Sequence, residues 1–295
     1  MKKSRALGTF YVFLSAAVFG FTPVLANLSY AGGNNGVNMA LLRAVIPLPA
    51  LMVMARIFSP GYKANARQIA MGALLGGLNF GCNLMLYSSY SYIPVGIATT
   101  LHFLYPLFVM LYHVVCHGER PAFAKWAGLL MGVLGAALLI EMGEGGLSPK
   151  GMILALVSGV LFAAYVVILQ REAEQPLPLY RLMTVASVSG AVLWAVAGAA
   201  LGKLTFALAP QAWLFAAAAA LLASIGGAAV FQAGVRLVGD TDAAIYSLLE
   251  PLTSIALGLI LLGERITLRK GASCLLILVG LLITALADRK AAARK

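Results

Sequence analysis

Residues Tyr92 to Lys125 form an apolar run with a proline at its middle, Pro106, and the run ends in Gly118-Glu119-Arg120. The same layout returns from Asp242 to Lys270, with Pro251 at the middle and Gly263-Glu264-Arg265 at the end. Pro106 and Pro251 lie 145 residues apart, and so do Glu119 and Glu264, and Lys125 and Lys270. One ungapped offset joining three landmarks marks an internal duplication. This constrains the fold more than any other feature, because whatever the first half builds, the second half builds again. The N-terminal run takes part as well. LSAAVFGFT (Leu14 to Thr22) aligns with VSGVLFAAY (Val157 to Tyr165), pairing Ser15 with Ser158 and Phe19 with Phe162. The basic start Met1-Lys2-Lys3-Ser4-Arg5 and the run after it look like a signal peptide, with Val24-Leu25-Ala26 as its cleavage site. A cleaved leader has no reason to be duplicated inside the mature chain, so the run is read as a retained span.

Composition says where the repeats reside. The chain is 61% hydrophobic and only 11% charged, with a mean hydropathy of +0.93, whereas soluble domains carry about 25% charged residues. The apolar residues come in runs of roughly 20, the length that crosses a bilayer as a helix. Transmembrane strands alternate in polarity over about ten residues, and no such pattern is present. The expected fold class is therefore an all-α polytopic membrane protein. Runs and breakers define ten spans: Gly8–Leu28, Val37–Ile57, Gln68–Ser89, Val95–Cys116, Ala124–Glu141, Gly151–Leu169, Pro178–Ala200, Ala212–Val235, Ala243–Leu262 and Gly271–Ala287. Breakers such as Gly32-Gly33-Asn34-Asn35 and Gly143-Glu144-Gly145-Gly146 separate them.

The net charge of +11 comes from cations at the termini and between the runs, not from a patch on a folded face. That pattern follows the positive-inside rule and argues against nucleic acid. With the N-terminus inside, the cytoplasmic loops and tails hold 14 Lys and Arg, the outer loops hold 5, and Arg43 and Arg181 lie within spans. Both termini are thus expected in the cytoplasm. Five spans per repeat is an odd number, so the second half enters the membrane from the opposite side. The expected domains are residues 1–142 and 147–288, two five-span repeats of inverted orientation, followed by a basic cytoplasmic tail at 289–295. Inverted repeats are the signature of secondary transporters that work by alternating access.

Ten spans, a five-plus-five repeat and a proline-centred helix ending in Gly-Glu-Arg in each half resemble the drug/metabolite transporter superfamily, and within it the EamA-type permeases. The resemblance covers essentially the whole chain. It implies a central cavity among the first, third, fourth, sixth, eighth and ninth spans, and export of amino acids or other small metabolites, or carriage of nucleotide sugars. The expected function is a secondary transporter of the cell (inner) membrane, an exporter of small polar metabolites, as a monomer or homodimer. Two alternatives stay open: a channel or facilitator for small solutes, and a nucleotide-sugar or drug transporter of the same superfamily.

Polar residues in the implied cavity spans fall on shared helical faces. Asn79, Asn83, Tyr87 and Tyr90 follow one another at steps of four, four and three in the third span. His102 and Tyr105 share a face of the fourth, and Tyr246, Glu250 and Thr253 one of the ninth. The first span contributes Ser15, Phe19 and Thr22, the sixth Ser158, Phe162 and Tyr165, and the eighth Ser224 and Gln232. Polar stripes avoid lipid, so they face a cavity or bond neighbouring helices. The substrate-binding candidates are Ser15, Phe19, Thr22, Asn79, Asn83, Tyr87 and His102, together with Tyr105, Phe162, Tyr165, Gln232, Tyr246 and Glu250. Glu250 is the coupling candidate, because an acid deep inside a span is expensive when charged. It would exchange a proton, pair with a substrate ammonium, or stay protonated and bond its neighbours.

Pro106 and Pro251 are the kink candidates. Each frees the carbonyl four residues earlier, that of His102 and of Ser247, and so would expose a backbone acceptor mid-span. Gly72, Gly76, Gly77 and Gly81, and Gly128, Gly132 and Gly135, are read as packing positions. Glu119-Arg120 and Glu264-Arg265 suit helix starts, and Arg43 and Arg181 are expected to snorkel to the surface. Cys82, Cys116 and Cys274 lie in apolar runs or at their ends and read as small buried hydrophobes. No nucleophile elbow, zinc-protease or phosphate-loop motif is present, so neither an enzyme nor a cofactor or metal is expected. The expected partners are a small-molecule substrate and the lipid bilayer, with a proton as one coupling option.

The orientation has a direct test. In a background lacking the native cysteines, a cysteine introduced at Gly143–Gly146 is expected to react with an impermeant thiol reagent on intact cells. Labelling at Arg56–Lys63 instead would reverse the topology.

Overall fold

The computed structural model describes residues 2–93, 95–138, 148–172, 176–250, 252–253, 256 and 267–293. Among the described residues the regular structure is helical. In chain order the helices are α1 (Lys2–Tyr30), α2 (Gly36–Val45), α3 (Leu48–Phe58), α4 (Ala66–Ser89), α5 (Val95–His102), α6 (Tyr105–His117), α7 (Phe123–Ala137), α8 (Pro149–Glu172) and α9 (Leu179–Ala200). There follow α10 (Pro210–Leu221), a π-helical turn (Leu222–Ala228), α11 (Ala229–Val238), α12 (Asp240–Tyr246), a 3-10 turn (Ser247–Leu249) and α13 (Leu268–Ala293). Seven helical stretches among the described residues are long and apolar enough to cross a membrane, and Phe123–Ala137 and Gly271–Thr284 are shorter apolar helices. The C-terminal end of the fifth expected span and nine residues of the ninth, Pro251 among them, lie outside the described residues, as do Glu264 and Arg265.

The chain divides into two compact units, 1–81 with 168–238 and 82–167 with 239–295. Each unit therefore takes helices from both halves of the sequence.

In the first unit α1 packs along α10, the π turn and α11, while α2 and α3 pack on α9. Glycines set these approaches. A Cβ on Gly234 would stand 2.7 Å from Val12, and one on Gly8 2.6 Å from Leu237. Gly72 and Gly76 of α4 face Val185, Ala186 and Ser189 of α9, and the Ser189 hydroxyl lies 3.0 Å from the Ala73 carbonyl. The 31–35 turn is held by amides. Asn35 caps α2 by accepting from the Asn38 N–H, and Asn34 donates to Ser29 Oγ at 2.9 Å. The second expected span is two helices, because Pro47 cannot supply an N–H and α3 restarts there with its own first turn.

In the second unit α7 and α13 form the tightest pair. A Cβ on Gly280 would meet the Gly128 carbonyl oxygen at 2.5 Å and the Gly132 nitrogen at 3.1 Å, and one on Gly135 the Ser273 carbonyl at 2.9 Å. Ser273 Oγ donates to the Gly135 carbonyl at 2.7 Å. The opposite faces carry leucines: Leu130 and Leu134 on α7, and Leu275, Leu278 and Leu282 on α13, are exposed. Small residues inside and leucines outside reverse the pattern of a water-soluble bundle. Lipid tails are as apolar as leucine, so helices associate here through close backbone contact.

Two sequence expectations are corrected by this unit and the first. Glu119 and Arg120 do not begin a helix; α6 ends at His117, Gly118 adopts a left-handed φ of +63°, and α7 starts at Phe123. Glu119 instead turns back to His113, 3.3 Å away. Arg181 does not snorkel. In the first turn of α9 it donates to Ser59 Oγ at 3.0 Å and to the Ser59 carbonyl at 2.8 Å, satisfying the C-terminal end of α3.

The helix contact yields a paired prediction. Gly280→Ala should destabilise the protein by about 1–3 kcal/mol, since the added methyl meets backbone that cannot move aside. Gly271→Ala, with nothing within 4 Å of its Cβ position, should be neutral or stabilising by about 0.5–1 kcal/mol. Thermal unfolding of the purified proteins checks both; equal effects would remove the packing account.

Candidate functional site

Proline chemistry builds the centre of the second unit. Pro106 has no N–H, and its ring excludes the carbonyl four residues back. The helix accordingly stops at His102, passes through Phe103-Leu104 and restarts at Tyr105 with Pro106 in its first turn. The freed His102 carbonyl does not line open space, as the sequence suggested. It faces Gly159 of α8, where a Cβ would come within 3.0 Å, so the backbone of α8 covers it. The corresponding carbonyl in the second half, that of Ser247, accepts from the Glu250 N–H within the 3-10 turn. The Ser247 carbonyl is thus engaged and the His102 carbonyl covered, and it is side chains that the break delivers.

Those side chains are mutually close. His102 Nδ1 lies 3.0 Å from Ser158 Oγ, which itself lies 2.6 Å from the Ala155 carbonyl. The His102 ring stands 5.5 Å from Phe162 and 5.8 Å from Tyr105. Tyr105 and Phe162 meet edge to face at 4.7 Å, and Phe162 stacks on Tyr165 at 5.6 Å. Edge-to-face and offset pairs of this kind fix ring orientation as well as burying area. Tyr105 is buried and its hydroxyl lies 3.4 Å from the Ala244 carbonyl on α12. Tyr246 is buried at the end of α12. Glu250, half-buried, follows the 3-10 turn, and its carbonyl accepts from Thr253 Oγ1 at 2.8 Å. His102, Tyr105, Phe162 and Tyr165 are therefore one cluster, with Ser158 as a fifth member.

The other candidates have different surroundings. Along α4, Asn79 is exposed and Asn83 and Tyr87 are half-buried, while Tyr90 lies past the helix end with its ring 5.9 Å from Tyr87. In the first unit, Phe19 packs against Gly227 of the π turn, where a Cβ would stand 2.7 Å from the ring. Thr22 donates to the Val18 carbonyl of its own helix at 2.9 Å. Ser15 and Gln232 are buried.

Sequence reading missed a set of charged residues at helix ends. Asp240 and Asp242 sit in the first turn of α12, where the helix dipole favours negative charge. Asp240 Oδ2 lies 2.7 Å from His113 Nε2, and Asp242 pairs with Lys125. In the first unit Glu172 accepts from Arg236 at 2.6 Å and from the Leu177 N–H at 2.5 Å, and Arg236 also donates to the Leu177 carbonyl at 2.9 Å. The one local signal was Gly239-Asp240-Thr241-Asp242, two acids opening a helix; the partners, more than 100 residues away for both aspartates, leave no trace in the sequence.

A profile of the EamA-like transporter family matches residues 6–141 and, a second time, residues 149–286. The uncharacterized transporter sll1319 of Synechocystis sp. is 26% identical over 301 residues, covering 88% of each chain. The threonine/homoserine exporter RhtA of Salmonella typhimurium is 28% identical over 223 residues, 73% of this chain and 71% of that protein. The aromatic amino acid exporter YddG of Ancylobacter novellus is 27% identical over 184 residues, 55% of this chain and 60% of that protein. One solved crystal structure, 22% identical, matches with a TM-score of 0.78, covering 96% of this chain and 98% of that one, so the fold is shared.

The Glu172–Arg236 pair is open to measurement. Glu172→Gln leaves the half-buried Arg236 guanidinium short of its counter-charge and should cost about 3 kcal/mol of stability. A clear fall in the thermal midpoint is expected, and an unchanged midpoint would mean the pair contributes nothing.

Proposed function

The chain belongs to the EamA-like transporter family of multi-pass membrane transporters, and on that premise we propose that it exports amino acids or related small polar metabolites. It does so as a secondary transporter of the inner membrane, by alternating access. The reading has ten spans in two inverted five-span repeats, residues 1–142 and 147–288, a basic tail at 289–295, and both termini in the cytoplasm. The substrate cavity lies among the first, third, fourth, sixth, eighth and ninth spans, and Glu250 is its coupling group. The observation that carries the substrate reading is the cluster of His102, Tyr105, Phe162 and Tyr165 at an interrupted helix. Its half-buried members, His102 and Phe162, offer a single imidazole and an aromatic ring, a lining suited to a small zwitterion. Bound nucleotide phosphates would want cations, which the cluster does not contain. Two relatives named as amino acid exporters support the same class.

Uptake of radiolabelled L-threonine, L-homoserine and L-phenylalanine into proteoliposomes tests the reading. Saturable uptake of at least one is expected, with competition by other amino acids. Glu250→Gln keeps shape and hydrogen bonding but cannot ionise. It should abolish the pH dependence of transport while binding persists, if Glu250 carries the proton. Wild-type rate and pH dependence in the variant would remove Glu250 from the coupling mechanism.

A further inference from the structure

The hydrogen bonds around Ser158 fix the proton on His102. A serine hydroxyl has one hydrogen to give, and a carbonyl can only accept. Ser158 Oγ, 2.6 Å from the Ala155 carbonyl, therefore spends its hydrogen there. Its contact with His102 Nδ1 at 3.0 Å must then run the other way, with Nδ1–H donating to Oγ. In a neutral imidazole this leaves Nε2 as a bare acceptor. Among the described residues no carboxylate contacts the ring; its aromatic neighbours are Phe103, Tyr105 and Phe162, with centroids at 6.0, 5.8 and 5.5 Å. Among the described residues no group bonds Nε2, and the side chain is half-buried, not closed off.

We propose that His102 is the acceptor for the ammonium group of the substrate, held by Ser158 in the tautomer that can receive it; this rests on the amino-acid reading above. The surroundings agree. The half-buried Phe162 ring stands 5.5 Å from the imidazole, close enough for its π-system to attract a cation bound there. A carboxylate or phosphate finds no proton on Nε2. In the repeat alignment His102 pairs with Ser247 and Ser158 with Ser15, so the His–Ser pair occurs once. A site that contains this pair would thereby hold an asymmetric substrate in one orientation.

Two measurements on the full-length protein in detergent test this. The first is nitrogen NMR of histidine-labelled protein. The ring resonance that disappears in His102→Gln should report a neutral imidazole protonated at Nδ1. Protonation at Nε2, or at both nitrogens, would overturn the assignment. The second is binding of L-threonine, L-homoserine and L-phenylalanine, each beside the carboxylic acid that lacks only its amino group. His102→Phe should weaken the amino acids by about tenfold or more, the worth of a hydrogen bond to a charged group, and leave the deaminated acids within about twofold. Ser158→Ala, a milder change, should weaken the amino acids selectively and by less. Equal weakening of both ligand sets by either variant would reduce His102 to a packing residue. Amino acids that bind the wild type and keep their full preference in the variants would sink the His102 role alone. A wild type that binds no amino acid would sink the substrate class and the ammonium role together.

Discussion

Within a bilayer a helix cannot be driven onto its neighbour by the exclusion of water, and this constraint organises the structure. What remains is close contact of backbones and satisfaction of every polar group inside the protein. The α7–α13 pair shows both. Gly128, Gly135 and Gly280 let the two backbones approach until a single methyl would collide, and Ser273 bonds across to the Gly135 carbonyl. The leucines face outward. The same device recurs at Gly8 and Gly234 between α1 and α11.

Interruptions acquire meaning against such regular helices. The break at Phe103-Leu104, the 3-10 turn at Ser247–Leu249 and the π turn at Leu222–Ala228 are departures from α geometry inside apolar stretches. Two of them are backed by a glycine: Gly159 covers the His102 carbonyl, and Gly227, within the π turn, accepts the Phe19 ring. Breaks of this sort re-aim side chains and are enriched at functional sites. Here the break before Tyr105 turns His102 and Tyr105 toward Phe162.

The parts of the fold legible in sequence were those written as local pattern. The duplication, the hydropathy of the runs and the proline-centred helices ending in Gly-Glu-Arg pointed to the family and to apolar helices, with ends within a few residues of those observed in cases such as α4, α8 and α9. What escaped depended on partners distant in sequence or on fine backbone energetics. Nothing local distinguishes Glu172 from a solvated loop acid until Arg236 is brought beside it, and the acids opening α12 carry no sign that His113 is a partner. The π turn has no proline to announce it. Glu119 was misread because an acid suits a helix start, whereas Gly118 closes the preceding helix. At the site, Phe162 and Tyr165 could be proposed from helical spacing, but the direction of the His102–Ser158 bond required the position of the Ala155 carbonyl.

The central claim is that this chain is a carrier whose binding site opens to one side at a time. Counterflow in proteoliposomes tests it most directly. Vesicles loaded with unlabelled substrate should accumulate labelled substrate transiently above equilibrium, because the unlabelled excess inside occupies the carrier's site and competes with the label for exit. Uptake that rises to equilibrium at the same rate whatever the vesicles contain would identify a channel and contradict the account.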